Sequence, residues 1–138
     1  MERRVLSPAA LAPGSGYSHG ITISGGHTTW TAGQVAFDAE GNLVGSGDIV
    51  AQTRQVFQNL AAVLRKGNAT FADVVKVTYF VTDVSRLPEI RAVRDEFINK
   101  RRPPASTLVQ VAGLFRPDAL IEIEAVVVVE ALAAARRC

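Results

Sequence analysis

Polar and apolar positions alternate along this chain with two different periods. Gly20 to Ser24 and Thr28 to Gln34 are short runs rich in Ile, Thr and Trp. Gly25-Gly26-His27 lies between them, and glycines supply the positive φ of a tight turn, so the spacing predicts a β-hairpin. Residues 1–18, rich in Pro, Gly and Ser, read as an extended lead-in, and 38–47 as a glycine-bearing loop. Asp48 then reads as a helix N-cap. After it Ile49, Thr53, Val56, Phe57, Leu60, Val63 and Leu64 recur at helical spacing, and Gly67-Asn68 ends the helix. Residues 73–83 are β-branched or aromatic nearly throughout, which predicts a strand. A second helix is predicted over 85–100, with Pro88 in its first turn. Leu87, Ile90, Val93 (or Arg94) and Phe97 form its buried stripe. Pro103-Pro104 ends that segment. Ser106–Val111 and Ile121–Val129 are the last two predicted strands, and residues 116–118 turn between them.

The predicted order is β-β-α-β-α-β-β. Two amphipathic helices and five or six strands predict an α+β two-layer sandwich, a mixed sheet with both helices on one face. Ala125 to Val129 is apolar at every position, so both faces of that strand are expected to be buried. With helices on one side alone, the other face calls for a second subunit, and a homo-oligomer follows as an expectation.

Composition narrows the functional classes. The 138 residues fit one domain spanning 1–138, and 48% are apolar, enough for a core without cross-links. A net charge of +2, with basic residues scattered in short clusters, disfavours a nucleic-acid partner. No stretch reads as a signal peptide or membrane span. The one cysteine, Cys138, stands beside Arg136 and Arg137 at the terminus, so no internal disulfide forms and a cytoplasmic location is expected. No metal-ligand spacing, phosphate-cradling loop or nucleophile elbow is present, so neither a metal nor another cofactor is expected.

Four stretches resemble the Rid/YjgF family in order and spacing. They are Gly16-Tyr17-Ser18-His19-Gly20; Thr31-Ala32-Gly33-Gln34; Gln52 to Gly67 (with Asn59 as the helix asparagine) running into 73–83; and Pro104-Ala105-Ser106-Thr107 followed by Ile121-Glu122-Ile123-Glu124-Ala125. The resemblance implies a chorismate-mutase-like fold and a homotrimer with small-molecule clefts between subunits. It also implies cofactor-free hydrolysis of enamines and imines to ketones and ammonia. In the deaminating members an arginine after the Pro-Ala holds the substrate carboxylate, and that position falls here at Ser106. Serine cannot supply a charged, bidentate fork. Hydrolysis of 2-iminopropanoate itself is therefore expected to be weak or absent. The small hydroxyl residue of the second stretch is Ala32, and Arg91 stands where the second helix usually has asparagine.

Glu124 is the leading catalytic candidate. A carboxylate among apolar strand neighbours is costly unless paired or functional. Alternation puts Glu122 on the same face, and a carboxyl that carries a proton can relay it to an imine nitrogen. Edge-strand glutamates facing solvent are the alternative. Tyr17 is expected to wall the cleft and donate a hydrogen bond, and His19 to act as acid or base; a packing aromatic and a hydrogen-bonded strand-start histidine are the structural alternatives. Gly33, Ser106 and Thr107 are substrate-binding candidates, through backbone N–H groups unless these only pair in the sheet. Arg91 and Arg116 are the cations available to replace the missing arginine. Two function classes stay open: an imine- or enamine-processing enzyme, and a non-catalytic trimer that binds a metabolite or partner.

Overall fold

A computed structural model describes residues 1–130; Arg136, Arg137 and Cys138 lie outside the described residues. The strands are β1 (Glu2–Leu6), β2 (Gly20–Ser24), β3 (His27–Trp30), β4 (Val74–Val81), β5 (Ala105–Gln110) and β6 (Ile121–Val129). The helices are α1 (Ile49–Lys66) and α2 (Leu87–Arg94), with short 3-10 turns at Phe71–Asp73 and Val84–Arg86. The main sheet has the order β3-β6-β4-β5, with β4 and β5 parallel and the other neighbours antiparallel. Both helices pack on one face of this mixed sheet, the α+β sandwich that the pattern predicts.

The core lies between the helices and that face. Val56, Phe57, Leu60 and Leu64 of α1 meet Val77, Tyr79 and Val81 of β4, Ile121, Ile123, Ala125 and Val127 of β6, and Ile90 and Val93 of α2. Asp48 caps α1, its Oδ1 accepting the Ala51 N–H at 3.0 Å, and Asn68 supplies the left-handed residue past its end at φ 56°. An Asp48→Ala variant should lose ~1 kcal/mol of stability, read by denaturant unfolding. Two polar side chains are buried in α1. Thr53 donates to the Ile49 carbonyl at 2.7 Å, and Gln52 donates to the carbonyls of Gly45 and Asp118 while accepting the Leu120 N–H. Gln52 thus ties two loops to the helix.

Four features differ from expectation. The predicted hairpin does not form: β2 pairs with β1 in a separate two-stranded ribbon, and β3 pairs with β6. Gly25 and Gly26 both have positive φ, 79° and 84°. They redirect the chain from the ribbon into the main sheet rather than folding it back. β1 itself lies inside the expected lead-in. The strand expected to reach Gln34 leaves regular pairing after Trp30, because Thr31 Oγ1 takes the Ala125 N–H at 3.0 Å in place of a backbone carbonyl. α2 stops at Arg94, and bonds from the N–H of Glu96 to Val93 and of Phe97 and Ile98 to Arg94 close the segment as turns.

Alternation leaves the second face of the sheet without helices. It carries Trp30, Val126, Lys76, Thr78, Glu122, Glu124, Phe80, Thr107 and Val109. Trp30 is 72% exposed. Of the apolar run in β6, Val128 is buried but Val126 only half-buried, so the chain alone does not cover this face fully. Among the described residues no helix is long and apolar enough to cross a membrane.

Candidate functional site

The expected site residues fall into two groups. The first lies on the helix side, where the lead-in, β5 and α2 meet. Ser18 is buried; its N–H donates to the Pro104 carbonyl at 3.0 Å and its hydroxyl to the Pro103 carbonyl at 2.6 Å. A parallel bridge of Ser18 with Ala105 completes the stitch. Tyr17 is thereby fixed beside Ser106. These two, with Ser15, Leu108 and the α2 residues Arg91 and Arg94, line a cavity of about 160 Å³ whose floor includes Tyr79. Gly16 matters to this wall. Its φ is +75°, and a Cβ there would stand 2.7 Å from Nη2 of Arg94.

The second group lies on the open face. Glu124 sits in register with Thr78 of β4, and Thr78 with Thr107 of β5. Lys76 Nζ donates to Thr107 Oγ1 at 2.6 Å. The Glu122 carboxylate packs directly on Gly33, where any Cβ would collide with it. A side chain there would have to displace Glu122, and the exposed Gly33 backbone stays accessible beside a carboxylate. The adjoining loop is held by Asn59, whose Nδ2 donates to the carbonyls of Val35 and Phe37 at 3.0 and 2.9 Å. A cleft of about 440 Å³ runs along it from Gly33 past Phe37 and Asn59 to Phe115.

Strand alternation separates Ser106 from Thr107, which point to opposite faces. His19 belongs to neither group. Its Nε2 lies 2.6 Å from the Ala12 carbonyl, so that nitrogen carries the proton and donates, and its ring meets Tyr17 edge-on at 5.4 Å. It lines a broader groove of about 550 Å³ between the lead-in and 100–103, and Tyr17 borders both spaces. Arg116 stands elsewhere, bonded to Asp118 at 2.7 Å and 5.3 Å from the centre of the Phe37 ring.

Two residues of the first cavity were not expected from sequence. Arg94 entered only as an alternative to Val93 in an apolar stripe; an arginine on a buried stripe was the signal. Its Nε and Nη2 both donate to Oδ1 of Asp95, at 3.1 and 3.0 Å. Lys100 holds the other Asp95 oxygen at 2.9 Å. Burial opposes the charge of Asp95, but the bonds from Lys100 and Arg94 outweigh it and hold the carboxyl below its usual range. Tyr79 read as a strand aromatic, and nothing in the sequence marked its hydroxyl.

Comparison with known proteins assigns this arrangement to a family. The sequence model described as "Endoribonuclease L-PSP" matches residues 7–129. A 2-iminobutanoate/2-iminopropanoate deaminase of Dermatophagoides farinae is 34% identical over 94% of this chain and 98% of its own length. A RutC family protein of Synechocystis is 33% identical over 93% and 98%. Among solved structures, a Rid-family protein of unknown function from Yersinia pestis aligns with TM-score 0.81 and 39% identity, covering 94% of this chain and all of that one. RidA from an Antarctic Psychrobacter gives 0.69 and 29%, over 91% and 98%. The chain belongs to the Rid family, which the L-PSP description also denotes, and its fold is the chorismate-mutase-like sandwich of that family.

Proposed function

We propose that this chain is a cofactor-free enzyme that acts on an imine, an enamine or a related small carbonyl metabolite, by hydrolytic deamination or tautomerisation, in clefts between the subunits of a homotrimer. The observation that carries this reading is the division of the site. Tyr17 and Ser106 line a cavity on the helix side, while Gly33 and Glu124 lie on the uncovered face. The helix-side cavity is lined by no carboxylate, and the open-face carboxylates Glu122 and Glu124 stand on a sheet face that no helix covers. A neighbouring copy laid over the open face, where Trp30, Phe80, Val109 and Val126 need cover, would bring one half against the other. The deaminase named among the relatives supports the reaction class.

In this reading Glu124 exchanges the proton with the substrate nitrogen or the attacking water, and the backbone at Gly33 holds an oxygen. Ser106 in the position of the family arginine favours an arginine-less branch with a substrate other than 2-iminopropanoate. The same serine also favours the second reading, a trimer that binds a metabolite or partner without turning it over. The low net charge and scattered basic residues support a small-molecule ligand over RNA.

Two measurements test this. Sedimentation should give a trimer at micromolar concentration; a monomer contradicts a shared site. Hydrolysis of 2-iminopropanoate should be about a hundredfold below that of an arginine-bearing relative, the equivalent of one charge-assisted contact. Equal rates would show that another group does the work of the arginine. Turnover of no imine or enamine at all would leave the binding-protein reading.

A further inference from the structure

A residue that lines the cavity on the helix side carries an unexplained buried hydroxyl. Tyr79 is 2% exposed, and its Oη has no hydrogen-bond partner among the described residues. An unpaired buried hydroxyl is costly, so a phenylalanine would serve the core better. Tyr79 is nevertheless part of the cavity wall, with Ser106 and Arg94. Arg94 is half-buried there, and its Nε and Nη2 are engaged by Asp95, which leaves the Nη1 edge of the fork unbonded among the described residues. The Asp95 carboxylate, shared with Lys100, fixes this orientation from behind.

We infer that Arg94 and the Tyr79 hydroxyl, with Ser106 beside them, form the subsite for the acid group of the substrate, and that Arg94 acts in place of an arginine on β5. This rests on the proposed function and names its substrate class. Burial raises the phenol above its ordinary range; the charge of Arg94 works against that shift and Asp95 with it. The hydroxyl therefore stays a donor at any physiological pH. Arg91 and Arg94 bring two positive charges to the wall, while Asp95 and Lys100 behind it offset each other, so the wall suits an anionic group such as a carboxylate. A cavity of about 160 Å³ is small enough for this. Arg94 comes from α2 and not from β5, so the carboxylate is displaced toward the helix. Leu87, Ile90 and Leu108 line the remaining wall. A longer 2-imino or 2-oxo acid with an apolar chain fits this better than the three-carbon compound, in keeping with slow hydrolysis of 2-iminopropanoate.

The test is calorimetric titration of the intact protein with pyruvate and with 2-oxohexanoate, using 2-hexanone as the control without a carboxylate. The wild type should bind 2-oxohexanoate more tightly than pyruvate and should not bind the ketone. Arg94→Gln and Tyr79→Phe should each weaken 2-oxohexanoate binding about tenfold or more. Asp95 keeps Lys100 as a partner in the first variant, so no charge is stranded. Tyr79→Phe should leave the melting temperature unchanged or higher, a readout that separates lost binding from lost folding. Unchanged affinity in both variants overturns the inference, as does failure of the wild type to bind either acid, or binding of the ketone as tightly as the acid. Glu124→Gln separates the two claims. If it stops turnover while the Arg94 and Tyr79 variants bind normally, the anchor alone is wrong. If those variants lose binding and no imine is turned over by the wild type, the hydrolytic reading alone is wrong.

Discussion

Glu124→Gln should stop turnover, by about 10²–10⁴-fold, while the assembly stays folded. Glu124 lies on the sheet face that no helix covers, opposite Thr78 and on the same side as Glu122. Glutamine keeps the volume and can still hydrogen-bond, so packing on β6 is preserved. It cannot give up or take a proton near neutral pH. Water activation or imine protonation then fails at the chemical step, and kcat should fall with little change in ligand affinity. A steady-state assay with a matched sedimentation run reads both halves of the result. Intact turnover would remove Glu124 from the chemistry, and a dissociated, inactive assembly would make it a structural anchor of the subunit interface.

Phe57→Ala should be the most destabilising of the single changes considered. Phe57 is fully buried at the centre of the core, stacked on Phe97 at 5.0 Å and close to Phe71 and Tyr79 at 5.8 and 6.3 Å. Removing a ring from such a place costs ~3–5 kcal/mol, from lost burial and the cavity left behind. A fall of about 10 °C or more in the melting temperature is expected. The loss should reach the site as well. Phe97 follows α2, and Tyr79 forms the cavity floor, so both walls that hold Arg94 and the phenol would loosen. Thermal unfolding measures the first effect, and titration with 2-oxohexanoate the second. A shift of one or two degrees would mean that the aromatic cluster is not the keystone of the core.

The sequence made some elements plain because they bury one face. α1 carries a stripe at helical spacing behind a capping aspartate, and both features stand in the structure. β4 and β6 alternate or run apolar because they lie at the centre of the sheet. β1 escaped notice for the opposite reason. Glu2 to Leu6 is charged at three of its five positions and mostly exposed, so it carries no period to read. The glycine pair suggested a hairpin, but two positive-φ residues also suit a change of partner. Which occurs depends on β1 and β6, remote in sequence. The site shows the same divide. Period-two alternation placed Glu122 and Glu124 together, and it equally dictates that Ser106 and Thr107 part, which reading them as a pair overlooked. Arg94 and Tyr79 come together only through the packing of α2 against β4, which no local pattern encodes.

A cleft built from two copies of the chain can be detected by subunit mixing. Tyr17→Ala damages the helix-side half, and Glu124→Gln the open-face half. Each variant alone should be inactive. Co-refolded in equal amounts, they form mixed trimers in which some clefts take an intact Tyr17 from one subunit and an intact Glu124 from its neighbour. Random assembly makes this the case for about a quarter of all clefts (one half times one half), so about a quarter of wild-type activity should return. If each site were complete within one chain, every cleft would carry one of the two lesions. The mixture would then stay as inactive as its parts, and that result would contradict the account.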